Sequence, residues 1–290
     1  MEILKIEKLT KYYGKVLGVK NLSLSLNEGE IFGFIGPNGA GKSTTIKAIM
    51  NLINKTSGNV YLNGELFTKE KIELKKIIGY LPSEISLYED LTVREMLDYH
   101  ESFYDKKINK RRCELVKILK LDENKKIEDL SLGNIKKLGI ILALMHSPKI
   151  LILDEPTSGL DPIMQNVFYE LLLEEKAKGT TIFYSTHILS EISKICDRVG
   201  IIKEGKLLKV ETIKELSDKN LTNVTIEVEN NIDELVKELS IKDVSINKNV
   251  IKFKNNLDSN TLIKKIAKYN IKNILIEEAT LEDIFMHYYE

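Results

Sequence analysis

The chain has 290 residues, 43% of them hydrophobic, with Lys+Arg and Asp+Glu both at 43 and a formal charge of zero. That is enough for a sizeable core, in one large domain or one domain plus a small one, and it argues against a dominant nucleic-acid surface. Cys113 and Cys196 lack metal-ligand spacing and read as reduced packing thiols, Met1–Lys5 carries no signal pattern, and no apolar run approaches the roughly 18–20 residues that span a bilayer, so the chain is expected to be soluble and to meet a membrane only through a partner.

In chain order, Ile3 to Leu9 reads as a strand of alternating apolar residues, followed by Tyr12-Tyr13-Gly14. Tyr13, just before a turn glycine, offers either a flat face for a purine or a strand-end cap on the core. Val19 to Leu26 is a second alternating strand. Two early strands with little helix between them suggest an antiparallel edge. Glu30 to Ile35 is a buried strand that enters Gly36-Pro37-Asn38-Gly39-Ala40-Gly41-Lys42-Ser43, a match to G-x-x-x-x-G-K-[ST]. Glycines let the backbone curl so that successive N–H groups point at an anion. Lys42 can reach the β- and γ-phosphates, and Ser43 offers a hydroxyl to Mg²⁺. From Thr44 to Leu52 the chain reads as a helix whose N-terminus adds its dipole.

Val60 to Glu65 and Ile77 to Leu81 are further strands, the latter ended by Pro82-Ser83. From Thr92 to Asn124 the period is helical, opened by the capping-box pair Thr92 and Glu95. The charged run Asp105-Lys106-Lys107 and Lys110-Arg111-Arg112 is expected to be a solvated helix surface. Leu130-Ser131-Leu132-Gly133-Asn134 opens a helix over 135–145. Ile150 to Leu153 is a buried parallel strand ending in Asp154 and Glu155, at the sheet edge where such folds present their chemistry. A helix over 165–178 follows, then a strand over 180–185 with His187 just past its end. Next come a helix over 188–196 and strands over 198–203 and 206–210. Beyond Ser217 the pattern is strand, helix, two strands, helix and strand, a split βαβ arrangement, with a terminal helix over 281–289.

A triphosphate held by the loop needs a metal ligand and a base. Asp154 suits Mg²⁺, and Glu155 can take a proton from the attacking water. Paired carboxylates at a strand end can also cap a helix. His187 is placed to sense the γ-phosphate, or else is an ordinary loop histidine, as His100, His146 and His287 are read to be. Ser131 and Gly133 precede a helix and form a second anion site, or a plain N-cap. A second anion site makes sense if it serves a nucleotide held by another subunit.

These residues together resemble the nucleotide-binding subunits of ABC transporters. The matching set runs from Tyr13 through Gly36–Ser43, Leu130–Asn134, Ile150–Glu155 and Ser158-Gly159-Leu160-Asp161 to His187. The resemblance implies an α/β P-loop NTPase core of ABC type at 1–217, with an antiparallel β edge and a helical subdomain at about 92–147. A small α+β accessory domain occupies 218–290. It implies two copies facing head to tail with two ATP between them, each held by Gly36–Ser43 and Thr44 of one chain and Ser131 and Gly133 of the other. Tyr13 stacks on adenine, Ser43 and Asp154 serve Mg²⁺, Glu155 is the base, His187 the γ-phosphate switch and Asp161 a contact across the dimer. A separate multi-span permease is the implied partner, on the cytoplasmic face of the cell membrane, and no nucleic acid is expected. Ala279 to Phe285 resembles the tails of exporter ATPases of the drug, antibiotic-peptide and lantibiotic-immunity type.

Two positions depart from the family. Ser83 stands where glutamine is usual, and Leu132 where the signature has glycine. Both lead us to expect intact ATP binding with slower or less tightly coupled hydrolysis. The alternatives are a non-transport ATPase of the same fold and a regulatory nucleotide-binding module with weak hydrolysis.

Overall fold

The computed structural model describes residues 1–104, 108–217, 222–229, 232–239, 244–255 and 258–278. The chain opens with two long strands, β1 (Glu2–Tyr13) and β2 (Val16–Asn27), paired antiparallel. β3 (Ile31–Ile35) enters the glycine-rich loop and α1 (Lys42–Ile49) leaves it. β4 (Ser57–Leu62) pairs antiparallel with β1 and with the two-residue β5 (Glu65–Leu66), giving a sheet of order β2-β1-β4-β5. The antiparallel strands thus form a sheet of their own. They do not extend the parallel sheet at β3, because both edges of β3 are taken by parallel partners.

After α2 (Ile72–Lys76) and β6 (Ile78–Leu81) come three helices, α3 (Val93–Glu101), α4 (Asn109–Leu119) and α5 (Leu132–Leu144). Thr92 caps α3 reciprocally with Glu95, both bonds of the capping box being made. β7 (Ile150–Asp154), α6 (Pro162–Ala177), β8 (Thr181–Thr186), α7 (Leu189–Ile195), β9 (Arg198–Lys203) and β10 (Lys206–Thr212) follow. The second sheet has the order β10-β9-β3-β8-β7-β6. It is parallel except at β10, which pairs antiparallel with β9.

Strands β3, β7 and β8 are buried along their whole length, which explains the apolar runs of β3 and β7, while β8 also buries the hydroxyls of Thr181, Ser185 and Thr186. Leu4, Ile6, Leu22 and Leu26 of the first sheet and Ile46 and Ile49 of α1 share one core with Phe32, Phe34, Ile152 and Phe183 of the second. The Phe32 and Phe183 rings stack at 6.0 Å. Register then decides the site: Ile35 lies opposite Thr186, and Asp154 opposite Ser185. Three strands therefore end side by side.

Within the charged run at 105–112, Arg111 and Arg112 do not behave as a solvated surface, whereas Lys110 is exposed. Arg112 is buried and bonds to Asp98, Glu101 and Glu123, while Arg111 reaches Glu175 of α6 at 2.6 Å. Carboxylates on the neighbouring segments compensate the buried guanidinium groups, a circumstance that charge along one segment does not show. Residues 105–107 lie outside the described residues.

The chain divides into two compact units, parting between Ile213 and Lys214 within the short helix α8 (Ile213–Ser217). In the second unit, β11 (Thr222–Val228), α9 (Ile232–Leu239), β12 (Val244–Asn247), β13 (Val250–Asn255), α10 (Ser259–Ile266) and β14 (Ile271–Glu278) follow one another. The sheet order is β12-β13-β11-β14, all antiparallel. Val224, Ile226, Leu235, Phe253 and Leu262 form its core. The expected terminal helix over 281–289, with His287, lies outside the described residues.

Candidate active site

The loop between β3 and α1 is shaped by its glycines. Gly41 sits at φ 104, and a Cβ there would meet the Gly18 carbonyl at 2.6 Å; one on Gly36 would meet the Ile202 carbonyl at 2.4 Å. The turn at Glu204–Gly205 braces the loop from outside, with Gly205 N donating to Ala40 O at 2.9 Å and Lys20 N to Gly205 O at 2.7 Å. Gly205 needs its left-handed φ of 73 and its missing Cβ for that approach. The tie was not legible in the sequence, where Glu204-Gly205 is only a hairpin turn.

Lys42 is buried and donates to Gly36 O at 2.7 Å and Pro37 O at 3.3 Å. Its Nζ stands 3.4 Å from Glu155 Oε1, and His187 Nδ1 stands 2.8 Å from Glu155 Oε2. Glu155 itself is held at φ 47, a left-handed conformation that costs a residue with a side chain about 1 kcal/mol. Its N–H bonds to Ser185 O at 3.0 Å, so the strained turn is tied to the end of β8.

Asp154 is completely buried, and neither carboxylate oxygen has a hydrogen-bond partner. Burial pushes its carboxyl above the ordinary carboxylate range and the Glu155 charge adds to this, while the Ser43 and Ser185 hydroxyls and Lys42 oppose it. Those hydroxyls lie beside the carboxylate without completing a bond of normal geometry, and Ser185 Oγ is itself unpartnered. Orphaned oxygens beside a serine hydroxyl fit a hard divalent cation. Among the described residues no three His, Cys, Asp or Glu side chains cluster as a metal cage.

A cleft of about 580 Å³ opens over these groups. Tyr13, Asn38, Gly39, Gly41, Lys42, Ser43, Thr44, Glu155 and His187 line it, so most of the expected residues converge. Ala40 is buried beneath the loop, and Gly36 and Pro37 serve through their carbonyls. Tyr13 is half-exposed, with Lys11 Nζ 4.7 Å from its ring centroid, and its edge would lie 3.2 Å from a Cβ on Gly18. An exposed ring at a cleft wall is placed to stack on a base.

Ser131, Gly133 and Asp161 do not line this cleft. Ser131 caps α5, accepting from Asn134 N at 3.4 Å, and Asp161 caps α6, accepting from Met164 N at 2.9 Å. A Cβ on Gly133 would come 3.1 Å from Gly159 O, so the first turn of α5 adjoins the loop before α6. Leu132 is 80% exposed, and Ser83 lines the cleft.

Val16, Leu17, Gly18 and Glu84 also line the cleft and were not singled out by their sequence, and Ser158, from the stretch Ser158–Asp161, lines it too. Lys136, which does not line the cleft, was not singled out either. It is buried in α5 and donates to Ser83 O at 3.2 Å and Glu155 O at 3.4 Å. Burial lowers its ammonium below the ordinary lysine value, while the Asp154 and Glu155 charges oppose the shift.

Comparison with known proteins agrees with this geometry. A family model described as ABC transporter matches residues 19–158, and one described as the C-terminal domain of DrrA1-3-like ATP-binding proteins matches residues 209–289. The linearmycin resistance ATP-binding protein LnrL of Bacillus subtilis is 40% identical over 222 residues, covering 75% of this chain and 71% of that protein. The bacitracin transport ATP-binding protein BcrA of Bacillus licheniformis is 36% identical over 299 aligned residues, covering 98% of this chain and 96% of its own. Among solved structures, the ATP-binding subunit of an ABC transporter matches with a TM-score of 0.70 at 30% identity, over 74% of this chain and 91% of its own. The dimeric MJ0796, a bacterial ABC transporter cassette, matches with a TM-score of 0.66 at 28% identity, over 72% and 98%.

Proposed function

The chain belongs to the ATP-binding subunits of ABC transporters and is an ATPase, and on that premise we propose that it drives an exporter of antibiotic-like compounds through a separate multi-span permease. The observation that carries the site assignment is the convergence of Lys42, Ser43, Glu155 and His187 on one cleft above the buried, unpartnered Asp154. The export direction is supported by the match of residues 209–289 to the DrrA1-3-like C-terminal domain and by the names of the relatives.

The loop N–H groups and Lys42 hold the phosphates and stabilise charge that develops on them. Ser43 and Asp154 hold Mg²⁺, which neutralises phosphate charge when bound. Glu155 accepts a proton from the water that attacks the γ-phosphorus, and the bond to the β-phosphate oxygen breaks. His187 orients Glu155 and donates toward the γ-phosphate. Tyr13 stacks on adenine.

Ser131, Gly133 and Asp161 sit at helix N-termini away from this cleft, where they complete the site of a second copy in a head-to-tail dimer. The solved dimeric cassette supports the pairing of two copies. Closure on ATP and opening after hydrolysis drive the permease from the cytoplasmic face of the membrane.

The test pairs two measurements on the full chain. ATP turnover is measured for the wild type and Glu155→Gln, with nucleotide binding and dimer formation followed by gel filtration in ATP. Loss of turnover with retained binding and a trapped dimer supports the reading; turnover at the wild-type rate in Glu155→Gln removes Glu155 as the base. A tagged pull-down from detergent-solubilised membranes then identifies the partner. A multi-span protein supports the exporter, whereas ribosomal or DNA-bound material overturns it.

A further inference from the structure

Glu191, in the first turn of α7, is 4% exposed and touches none of the groups assigned above. Its carboxylate accepts hydrogen bonds from the hydroxyls of Thr157, Tyr169, Tyr184 and Thr186. Oε1 receives Thr157 Oγ1 at 2.5 Å and Tyr169 OH at 3.1 Å; Oε2 receives Thr186 Oγ1 at 2.6 Å and Tyr184 OH at 3.0 Å. Each oxygen thus holds one tyrosine and one threonine. The tyrosines stand on α6 and β8, fixed by their own helix and strand. The threonines stand at the roots of two loops. Thr157 lies two residues past Glu155, in the segment leading to Asp161. Thr186 immediately precedes His187, and its Oγ1 also accepts from Ile188 N at 3.0 Å, bracketing the histidine on both sides.

We propose that Glu191 is a positioning residue for ATP hydrolysis: through Thr157 and Thr186 it holds the Glu155 and His187 loops at one mutual spacing, the spacing read as the 2.8 Å contact between their side chains. The inference rests on the assignment of Glu155 and His187 made above. A buried carboxylate with four hydroxyl donors makes a stiff node, because charge-assisted bonds are stronger than neutral ones and a lost acceptor leaves a buried donor unsatisfied. Burial, and then the Glu191 charge, push both phenols above their ordinary range, which keeps them as donors. A node that serves both loops makes the base and the histidine move together.

The experiment compares substitutions at one carboxylate. Thr157→Val and Thr186→Val each remove a hydroxyl that roots a loop; Tyr169→Phe and Tyr184→Phe each remove one that does not. The two valine variants are expected to lower kcat about 10- to 100-fold with KM for MgATP changed less than about twofold, as misplacement of reacting groups does. Thr157→Ser and Thr186→Ser should restore most of the rate. The phenylalanine variants should lower Tm while keeping kcat near the wild type. Glu191→Gln, whose amide nitrogen cannot accept, should combine both effects.

If all four hydroxyl deletions reduce kcat in proportion to their loss of Tm, Glu191 serves stability alone and the inference fails. It fails equally if both valine variants keep the wild-type kcat. Glu155→Gln assayed alongside separates the two readings. An inactive Glu155→Gln with fully active valine variants sinks only the role of Glu191, whereas an active Glu155→Gln sinks the assignment beneath it.

Discussion

His187 Nδ1 and Glu155 Oε2 meet at 2.8 Å although 32 residues separate them in the chain. One imidazole nitrogen therefore meets the carboxylate, and the residue also lines the cleft. Replacing His187 by alanine removes both the contact and the lining ring. We expect kcat to fall about 10²-fold with nucleotide affinity nearly unchanged, the pattern for a group that acts in the transition state. Steady-state turnover together with fluorescent-nucleotide titration checks this.

Asp154 carries two buried oxygens without a hydrogen-bond partner. Leaving a buried charged group unsatisfied costs on the order of 1–3 kcal/mol or more. Asp154→Asn should therefore raise Tm in metal-chelating buffer, yet abolish Mg²⁺-dependent hydrolysis and the added thermal protection by MgATP. Differential scanning fluorimetry with and without Mg²⁺ reads both. A variant that is less stable in the chelator would show that the charge is compensated.

Ser83 lines the cleft but is shorter than the family's glutamine, and Leu132 projects into solvent from the first turn of α5. Ser83→Gln and Leu132→Gly should each raise ATP turnover by about 3- to 10-fold while leaving affinity alone. Unchanged turnover in both would show that the departures do not limit the rate.

Lys136 donates to the carbonyls of Ser83 and Glu155, joining the ends of β6 and β7 beneath the cleft. Lys136→Met keeps the volume and removes the donor. Both carbonyls then lose that bond, and we expect kcat to drop about 10-fold, more than affinity does. Lys136→Arg, which retains a donor, should recover part of the rate.

His146 packs on Tyr104 with ring centroids 4.5 Å apart, and His100 lies 5.9 Å away. Burial, and secondarily the His100 charge, lower His146 from its ordinary value of 6.5 to about 4. The unfolded chain thus binds a proton that the folded chain refuses between those values. Stability rises with pH across that window and is lost as pH falls from 6.5 toward 4. We expect Tm to drop at least about 3 °C over this range and the drop to shrink in His146→Phe, as followed by circular dichroism.

Much of this protein was legible as local pattern. The glycine-rich loop, the apolar run into Asp154 and Glu155, and His187 after a strand are short stretches whose chemistry depends on neighbouring residues. Buried strands read correctly because parallel strands covered on both faces need continuous apolar runs. The order of the second unit was readable for a similar reason, since its strands and helices switch period within a few residues. The inward face of Arg111 and Arg112 was not readable, because their carboxylates come from α3, α6 and the segment after α4.

The amino-acid sequence by itself determined which chemical groups stand at the glycine-rich loop, at the end of the apolar run and just past the next strand, since those groups belong to side chains and to backbone at fixed spacing. Only the tertiary structure decided which of them share a cleft. Strand order and register set Ile35 beside Thr186 and Asp154 beside Ser185, and so bring three loops together. It also decided the supports: the Gly205 brace under the loop, Lys136 between two carbonyls and Glu191 among four hydroxyls. These contacts join residues far apart in the chain, and their free energy exists only once packing has excluded water from between them.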